Sequence, residues 1–312
     1  MRMIRPIKRL FSRMRATVTA VLTAMPLILA CGCGGGAEIP SASSSDGGDS
    51  TPIYPNWPPE AEEFRFHWSA SPGIDLETGS AVAVRAYLES YRLIGLAGGD
   101  LSAAYPGFLR ATPENVQAQD PGDLFQLGHL RPDTRPERET GEHVDIERRY
   151  YGYQPTHILS LLPEGDGYRA TVCVGAYSVY RFAHHRFSSI MSDPQTGELL
   201  YGDRQNVEIW RVELTDNGPV ASEAAPSPSA PQRGPLPGPA EDVFGRWHFT
   251  GTSSGLWGPN DNPEDVDLPE IRKQCEDAMP DDASARAAMA GGFHDTPPPH
   301  GDPIPGWPVL GR

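Results

Sequence analysis

Positive charge is scarce in this chain of 312 residues, and lysine is almost absent from it. Lysine occurs only at Lys8 and Lys273, and 26 basic residues face 41 acidic ones, which gives a formal net charge of −15. An acidic chain repels nucleic-acid phosphates and anionic lipid head groups. The charge balance therefore argues against a nucleic-acid partner and against membrane contact through a basic patch.

Cysteine is also scarce, and the usual spacings of metal ligands are missing. The chain has four cysteines and neither a CxxC nor an HExxH motif. His184 and His185 follow a predicted strand, in which neighbours point to opposite faces, so we expect surface or pocket-rim histidines rather than a shared metal site. The acidic stretch 260–270 lacks the glycine that an EF-hand loop needs at its sixth position, which indicates a solvated loop. The sequence thus predicts no metal site and no cofactor.

One short motif resembles that of a serine hydrolase. The stretch GTSSG, residues 251–255, matches GxSxG around Ser253. A nucleophile elbow needs a helix directly after the serine, whereas LWGPNDNPED follows here and cannot begin one. We therefore interpret GTSSG as a turn and assign no catalytic residue.

The N-terminal 30 residues have the layout of a secretory signal peptide. Residues 1–15 carry six basic residues and no acid, and residues 16–30 are mostly apolar. The apolar run is shorter than the ~20 residues that a spanning helix requires. This N-terminal region has three interpretations: a lipoprotein signal with lipidation at Cys31, an ordinary cleaved signal peptide, and an uncleaved membrane anchor.

The stretch ILAC, residues 28–31, resembles the lipobox of bacterial lipoproteins. Together with the scarcity of lysine and the abundance of Ala, Gly, Pro and Arg, it makes the chain similar to actinobacterial, mycobacterial-type lipoproteins of unknown function. The resemblance implies that Cys31 receives lipid, as palmitate or a related acyl chain, and becomes the new N-terminus. It also implies a chain anchored to the extracytoplasmic face of the cell membrane, with the membrane as a partner through the anchor.

Cys173 and Cys275 are the two cysteines outside the lipobox region. An even pair in an exported protein is typical of a disulfide. Two buried thiols are the alternative interpretation. A bridge would require the two Cα atoms to lie within about 7 Å of each other.

Composition divides the remaining chain into segments. Residues 31–60 are rich in Gly, Ser, Asp and Pro, which predicts a flexible tether. Residues 61–255 are expected to form the globular domain, interrupted by a poorly ordered Pro-rich insertion at about 219–242. Residues 256–312 read as an acidic, Pro-rich tail with one short helix, at 268–279.

Within the domain, helices come before strands. Apolar periodicity predicts a helix over 80–99 with Ser80 as N-cap, and a second helix that begins after Asp100 and breaks at Pro106. The more polar face of the first helix carries Arg85, Glu89 and Arg92.

The strands are predicted from alternation and turn signals. PEGDG, residues 163–167, indicates a hairpin turn, and another turn is expected at 193–197. Alternation places Val172, Val174 and Ala176 on one face and Cys173 on the other, and gives Trp210, Val212 and Leu214 a common face. Helices followed by antiparallel strands predict an α+β fold, with N-terminal helices packed on a curved antiparallel sheet.

VRAYLESY, at 84–91, and GGDLSAAYPGFLRAT, at 98–112, resemble the two opening helices of the nuclear-transport-factor-2-like, or ketosteroid-isomerase-like, superfamily. The resemblance covers roughly residues 78–253 and implies a cone-shaped interior. Enzymes of this fold use an inward carboxylate and a tyrosine. The tyrosines here lie in no motif that assigns such a role, and we expect core aromatics rather than a ligand cage: Tyr150, Tyr151, Tyr153, Tyr177 and Tyr180.

Three functions of different classes follow from these features. The first is a non-catalytic binding or envelope-accessory module for an unknown envelope protein. The second is a carrier that holds a small apolar ligand in the cone, and the third is an enzyme. The interior of the cone discriminates among them, because a carrier needs an open apolar pocket and an enzyme also needs a titratable group inside it.

Overall fold

The computed structural model describes residues 56–134, 146–200, 206–218 and 226–309. The predicted signal peptide, Cys31 and most of the tether lie outside these residues. In chain order, the elements described are β1 (Glu63–Ala70), α1 (Gly79–Leu96), α2 (Phe108–Ala111), β2 (Ile146–Glu164), β3 (Gly167–Gly175), β4 (Val179–Ala183), β5 (Arg186–Ser189), β6 (Val207–Thr215), β7 (His248–Ser253), β8 (Leu256–Trp257), β9 (Glu264–Asp265), α3 (Pro269–Ala278) and α4 (Ala283–Ala290).

Seven strands form one strongly curled, mainly antiparallel sheet in the order β5-β4-β2-β3-β6-β7, with β1 pairing parallel to β2. Residues 151–158 of β2 pair with β1 on one edge, so β4 and β3 lie one after the other along the opposite edge. Register shifts in β2 and between β6 and β7 mark bulges, which bend strands and increase their twist. The prediction of a curved, antiparallel sheet is confirmed, and the described helices that accompany it are few.

The two faces of the sheet carry separate apolar clusters. Val172 and Val174 lie in the cluster that contains α1, together with the predicted face of β6: Trp210, Val212 and Leu214. Cys173 lies in the opposite cluster, as alternation predicts. The prediction for Ala176 is wrong, since β3 ends at Gly175 and Ala176 joins the Cys173 side.

Aromatic contacts connect α1 with the strands. Tyr87 stacks on Phe249 of β7 with ring centroids 4.0 Å apart, and Tyr91 meets the edge of Trp210 at 4.9 Å. The N-cap is Thr78 rather than the predicted Ser80, because the helix begins at Gly79. After α1, the Asp100 carboxylate accepts from the Ser102 amide at 2.8 Å and caps a single 3₁₀ turn.

The Pro-rich insertion is more ordered than its composition predicts. Its described part, from residue 226 onward, contains Leu236, which is 9 % exposed. The Leu236 amide donates to the Trp307 carbonyl at 3.0 Å, and the Trp307 amide donates back at 2.8 Å. The prediction of disorder is therefore wrong for residues 226–242, because backbone hydrogen bonds to Trp307 and to Glu77 hold this stretch on the domain.

The C-terminal segment is part of the domain rather than a loose tail. It contains two helices, α3 and α4, where one was predicted. Ile304 exchanges backbone hydrogen bonds with β1, since the Trp68 amide donates to its carbonyl at 2.6 Å and its own amide donates to the Phe66 carbonyl at 3.1 Å. Trp307, only 1 % exposed, is among the largest fully buried side chains. The segment thus covers the free edge of β1 and completes the core.

Candidate functional site

A cavity of about 300 Å³ lies between the C-terminal half of α1 and the sheet face that carries Val174. This volume is at the lower end of the range found for small-molecule pockets, ~300–1,000 Å³. The residues around it come from α1, four strands and the segment after β5: Leu88, Tyr91, Arg92, Gly95, Leu96, Tyr150, Gln154, Val174, Arg181, Ile190 and Trp210.

Local periodicity explains why these side chains meet. The α1 residues recur at intervals of three and four, from Leu88 to Leu96, so they share one helix face. Tyr150 of β2 and Arg181 of β4 are register partners, which places them side by side across the two strands. The bulge between Glu147 and Tyr150 helps to set this register.

One part of the cavity wall is apolar. It is formed by Leu88 and Leu96 from the helix and by Val174, Ile190 and Trp210 from the sheet side. The Trp210 indole donates to Glu208 at 3.0 Å, and its ring meets Tyr91 edge-on. These contacts hold the largest aromatic side chain of the wall in place.

The other part of the wall carries hydrogen-bond donors. Arg92 donates to Glu208 at 3.0 Å, and its side chain is 19 % exposed. Arg181 donates through Nη2 to the Ser192 carbonyl. Burial raises the pKa of Tyr91 to about 12, with Arg92 opposing that effect and the Glu208 and Asp133 carboxylates adding to it. The phenol therefore stays protonated and acts as a donor at neutral pH.

Gln154 contributes a buried polar atom with no partner in the described part of the protein. The residue is 1 % exposed, its Nε2 lies 3.5 Å from the Thr156 hydroxyl, and its Oε1 accepts no hydrogen bond. An unsatisfied buried acceptor costs about 1–3 kcal/mol. The atom is buried, so a ligand in the cavity would meet it only after the Gln154 side chain turns toward the cavity.

The side chains that line the cavity are suited to binding a ligand rather than to transferring protons. Its lining, as far as the structure describes it, contains two guanidinium groups, two phenols and one carboxamide, but no carboxylate, imidazole, thiol or amine. Groups of the latter kinds carry most proton transfer near neutral pH. The arrangement can enclose an apolar body and hydrogen-bond a polar end.

A second buried polar cluster lies on α1, outside the cavity. Glu89 accepts from the Trp68 indole at 2.7 Å, from the Tyr105 hydroxyl at 2.7 Å and from the Trp307 indole at 2.8 Å. Burial raises the pKa of Glu89, whereas Arg85, one helical turn earlier, and the three donors lower it. The three hydrogen bonds of Glu89 connect α1 with β1, with Tyr105 and with the C-terminal segment, so the cluster has a structural role.

Arg85 completes this cluster and connects it to distant segments. Its guanidinium donates to the Leu76, Gln232, Pro305 and Gly306 carbonyls and lies 4.2 Å from the centre of the Trp307 ring. Arg85 and Glu89 are each 1 % exposed. The predicted polar face of α1 is thus buried at these two positions, because the insertion and the C-terminal segment cover it.

The predicted cysteine pair forms a disulfide. The Cα atoms of Cys173 and Cys275 are 5.2 Å apart, and both residues are fully buried. The bridge joins β3 to α3, on the sheet face opposite the cavity.

The other sequence candidates lie apart from the cavity. The Ser253 hydroxyl accepts from the Gly255 amide at 3.0 Å, and the short strand β8, not a helix, follows, so GTSSG is a turn. His184 and His185 are exposed in the β4–β5 turn, with φ values of 51° and 62°. In the ranges that the structure covers, no three His, Cys, Asp or Glu residues are grouped as a metal site would require.

Of the five predicted core tyrosines, Tyr150 lines the cavity. Tyr153 and Tyr177 lie elsewhere and both donate to Asp281 Oδ2, at 3.0 and 2.9 Å. The cavity residues that sequence reasoning missed are Arg181 and Gln154. Alternation along β2 and β4 is the signal that could have placed them on the inner face, but the bulge in β2 disturbs that alternation.

Comparison of the chain with protein-family models, with curated proteins and with solved structures found no match. Among the residues that the structure describes, none of the helices combines the length and apolar character needed to cross a membrane.

Proposed function

We propose that this chain is a carrier that holds a small, mostly apolar molecule in the cavity between α1 and the sheet. The cavity is the observation that carries the proposal, because the apolar wall of Leu88, Val174 and Trp210 surrounds an unfilled volume of about 300 Å³. Filling such a wall with ligand removes apolar surface from water at roughly 25 cal/mol per Å². We propose that the cavity corresponds to the cone-shaped interior of nuclear-transport-factor-2-like carriers.

The cavity favours the carrier over the other two functions considered. A partner-binding module has no need of a half-open pocket beside an unsatisfied Gln154 acceptor. An enzyme of the ketosteroid-isomerase-like type would use a carboxylate that faces the cavity. Glu89 is a buried carboxylate whose pKa is raised by burial, but it lies outside the cavity and accepts hydrogen bonds from three donors.

Gly95 provides the sharpest test of the carrier function. It lies at the exposed mouth of the cavity, and a Cβ added there meets nothing within 4 Å. The Cβ of a leucine therefore fits at this helical position, and we expect the rest of its side chain to narrow the mouth of the cavity. Leucine also favours helix by nearly 1 kcal/mol over glycine. We expect Gly95→Leu to weaken binding of the neutral probe N-phenyl-1-naphthylamine by at least about tenfold, a loss of ~1.4 kcal/mol.

The matched control for this test is Gly255→Leu. Gly255 is exposed in the turn after β7, and a Cβ there also meets nothing within 4 Å. Probe fluorescence is titrated for the purified full chain and for both variants. Equal binding by wild type and Gly95→Leu, or no binding by wild type, would contradict the carrier function.

We further propose that the chain is a lipoprotein attached at Cys31 to the extracytoplasmic face of the cell membrane. The lipobox-like ILAC and the basic and apolar segments before it support this. The Cys173–Cys275 disulfide is typical of an oxidising compartment. An acyl chain contributes ~0.8 kcal/mol per buried methylene, so two chains anchor stably.

Cys31→Ala is expected to abolish membrane association. Without the thiol there is no position for the lipid, and after the basic residues 1–15 the chain is acidic, which disfavours electrostatic attachment of the domain to anionic lipids. Detergent phase partitioning of the expressed full chain is the measurement. Cys33→Ala is the matched control, and partition of Cys31→Ala into the detergent phase would refute attachment at Cys31.

A further inference from the structure

We infer that the cavity selects small apolar molecules that carry a carboxylate, held at the donor-rich part of the wall formed by Arg92, Arg181 and Tyr150. This inference rests on the proposed carrier function and adds the chemical class of the ligand. It derives from the composition of the cavity wall, which differs sharply from that of the chain as a whole.

The charged residues of the cavity wall are arginines, although the chain is acidic. The formal net charge of the chain is −15, yet both charged residues that line the cavity are Arg92 and Arg181. Glu208, a carboxylate that contacts this wall, accepts from Arg92 and from the Trp210 indole through one oxygen. It fixes the Arg92 guanidinium in the wall rather than filling the cavity.

Arg92 retains donors for a ligand. Its contact with Glu208 uses Nη2, and among the described residues no other partner of its guanidinium is found. An arginine presents five N–H donors in a planar fork that fits a carboxylate. The guanidinium is therefore held in place through Nη2, and its other N–H groups can donate to an anion.

Arg181 and Tyr150 extend the donor surface onto the sheet. They are register partners on β4 and β2, and both line the cavity. Arg181 is anchored through Nη2 to the Ser192 carbonyl, which fixes its position. Charge-assisted hydrogen bonds to a carboxylate in a partly buried site are about twice as strong as neutral ones.

Gln154 lies next to this donor surface with a buried carboxamide. Its Oε1 has no partner, and rotation of the amide by half a turn would present Nε2 in its place. Either atom can meet a carboxyl group, Oε1 a protonated oxygen and Nε2 a charged one. A purely apolar ligand would leave this group unsatisfied, which disfavours such ligands.

The test compares decanoate with decanol, which share the alkyl chain and differ in the head group. Displacement of N-phenyl-1-naphthylamine is measured for wild type, Arg181→Gln, Arg181→Lys and the control Arg233→Gln, whose side chain is 72 % exposed. We expect wild type to bind decanoate about 10- to 100-fold more tightly than decanol. Arg181→Gln should lose most of this preference, because it weakens the binding of decanoate more than that of decanol, and Arg181→Lys should keep part of it.

The outcomes separate this inference from the carrier function. Equal binding of decanoate and decanol by wild type, abolished for both by Gly95→Leu, would overturn the carboxylate preference and leave the carrier function standing. A preference that persists in Arg181→Gln would also overturn the assignment of Arg181. Binding of neither compound, with no probe binding, would contradict the carrier function itself.

Discussion

Glu89→Ala is expected to lower the free energy of unfolding by about 3–5 kcal/mol, because each buried hydrogen-bond donor left without a partner costs about 1–3 kcal/mol. Glu89 is 1 % exposed and accepts from Trp68, Tyr105 and Trp307. Its loss leaves these three donors unsatisfied and the Arg85 charge uncompensated in the core. Urea unfolding monitored by circular dichroism gives the measurement.

Two variants make this prediction specific. Glu270→Ala removes an exposed carboxylate from the first turn of α3 and should change stability by no more than about 0.5 kcal/mol. Glu89→Gln keeps the shape and loses the charge, and should fall between the other two. A Glu89→Ala protein as stable as Glu270→Ala would show that the cluster contributes nothing.

Removal of the disulfide is expected to have an effect of similar size. The bridge joins residues separated by 102 positions, and closing a loop of this length stabilises by up to ~4–5 kcal/mol in the chain-entropy model. The double variant Cys173→Ala/Cys275→Ala should therefore unfold at much lower urea concentration. α3 should also detach more readily, because Cys275 is its only fully buried residue.

Lys273 reports on this detachment. It lies in α3 with its side chain 74 % exposed, and Lys8 is the only other lysine of the chain. A lysine-specific protease should therefore cut α3 faster in the double variant than in wild type, since cleavage requires local opening of the helix. Cleavage at equal rates, together with unchanged urea unfolding, would show that the bridge is not needed to hold α3 on the sheet.

Local patterns predicted those elements whose structure is decided by nearby residues. The periodicity of α1, the hairpin turn at 163–167 and the alternation that separates Cys173 from Val172 all involve residues a few positions apart. The disulfide was predictable because the N-terminal pattern predicts export, and the two cysteines outside the lipobox region then have one pairing to make. Strand β1 was missed, although the alternation of Phe64, Phe66 and Trp68 is a strand signal.

The rest depends on contacts between distant parts of the chain. Arg85 and Glu89 are spaced as a surface pair would be, and only the arrival of Trp307 and Gln232 buries them. Pro-rich composition predicted disorder for the insertion, because backbone pairing between Leu236 and Trp307 has no local signal. The cavity also escapes prediction, since it joins one helix face to residues of four strands across two bulges.

The most direct test of the ligand site is photoaffinity labelling with a decanoate that carries a diazirine near its end. The full chain is irradiated with the probe, digested and analysed by mass spectrometry. We expect the label on peptides that contain the apolar wall, Leu88, Val174 or Trp210, and its loss in Gly95→Leu but not in Gly255→Leu. Labelling confined to surface peptides, or equal labelling of Gly95→Leu, would contradict a ligand site between α1 and the sheet.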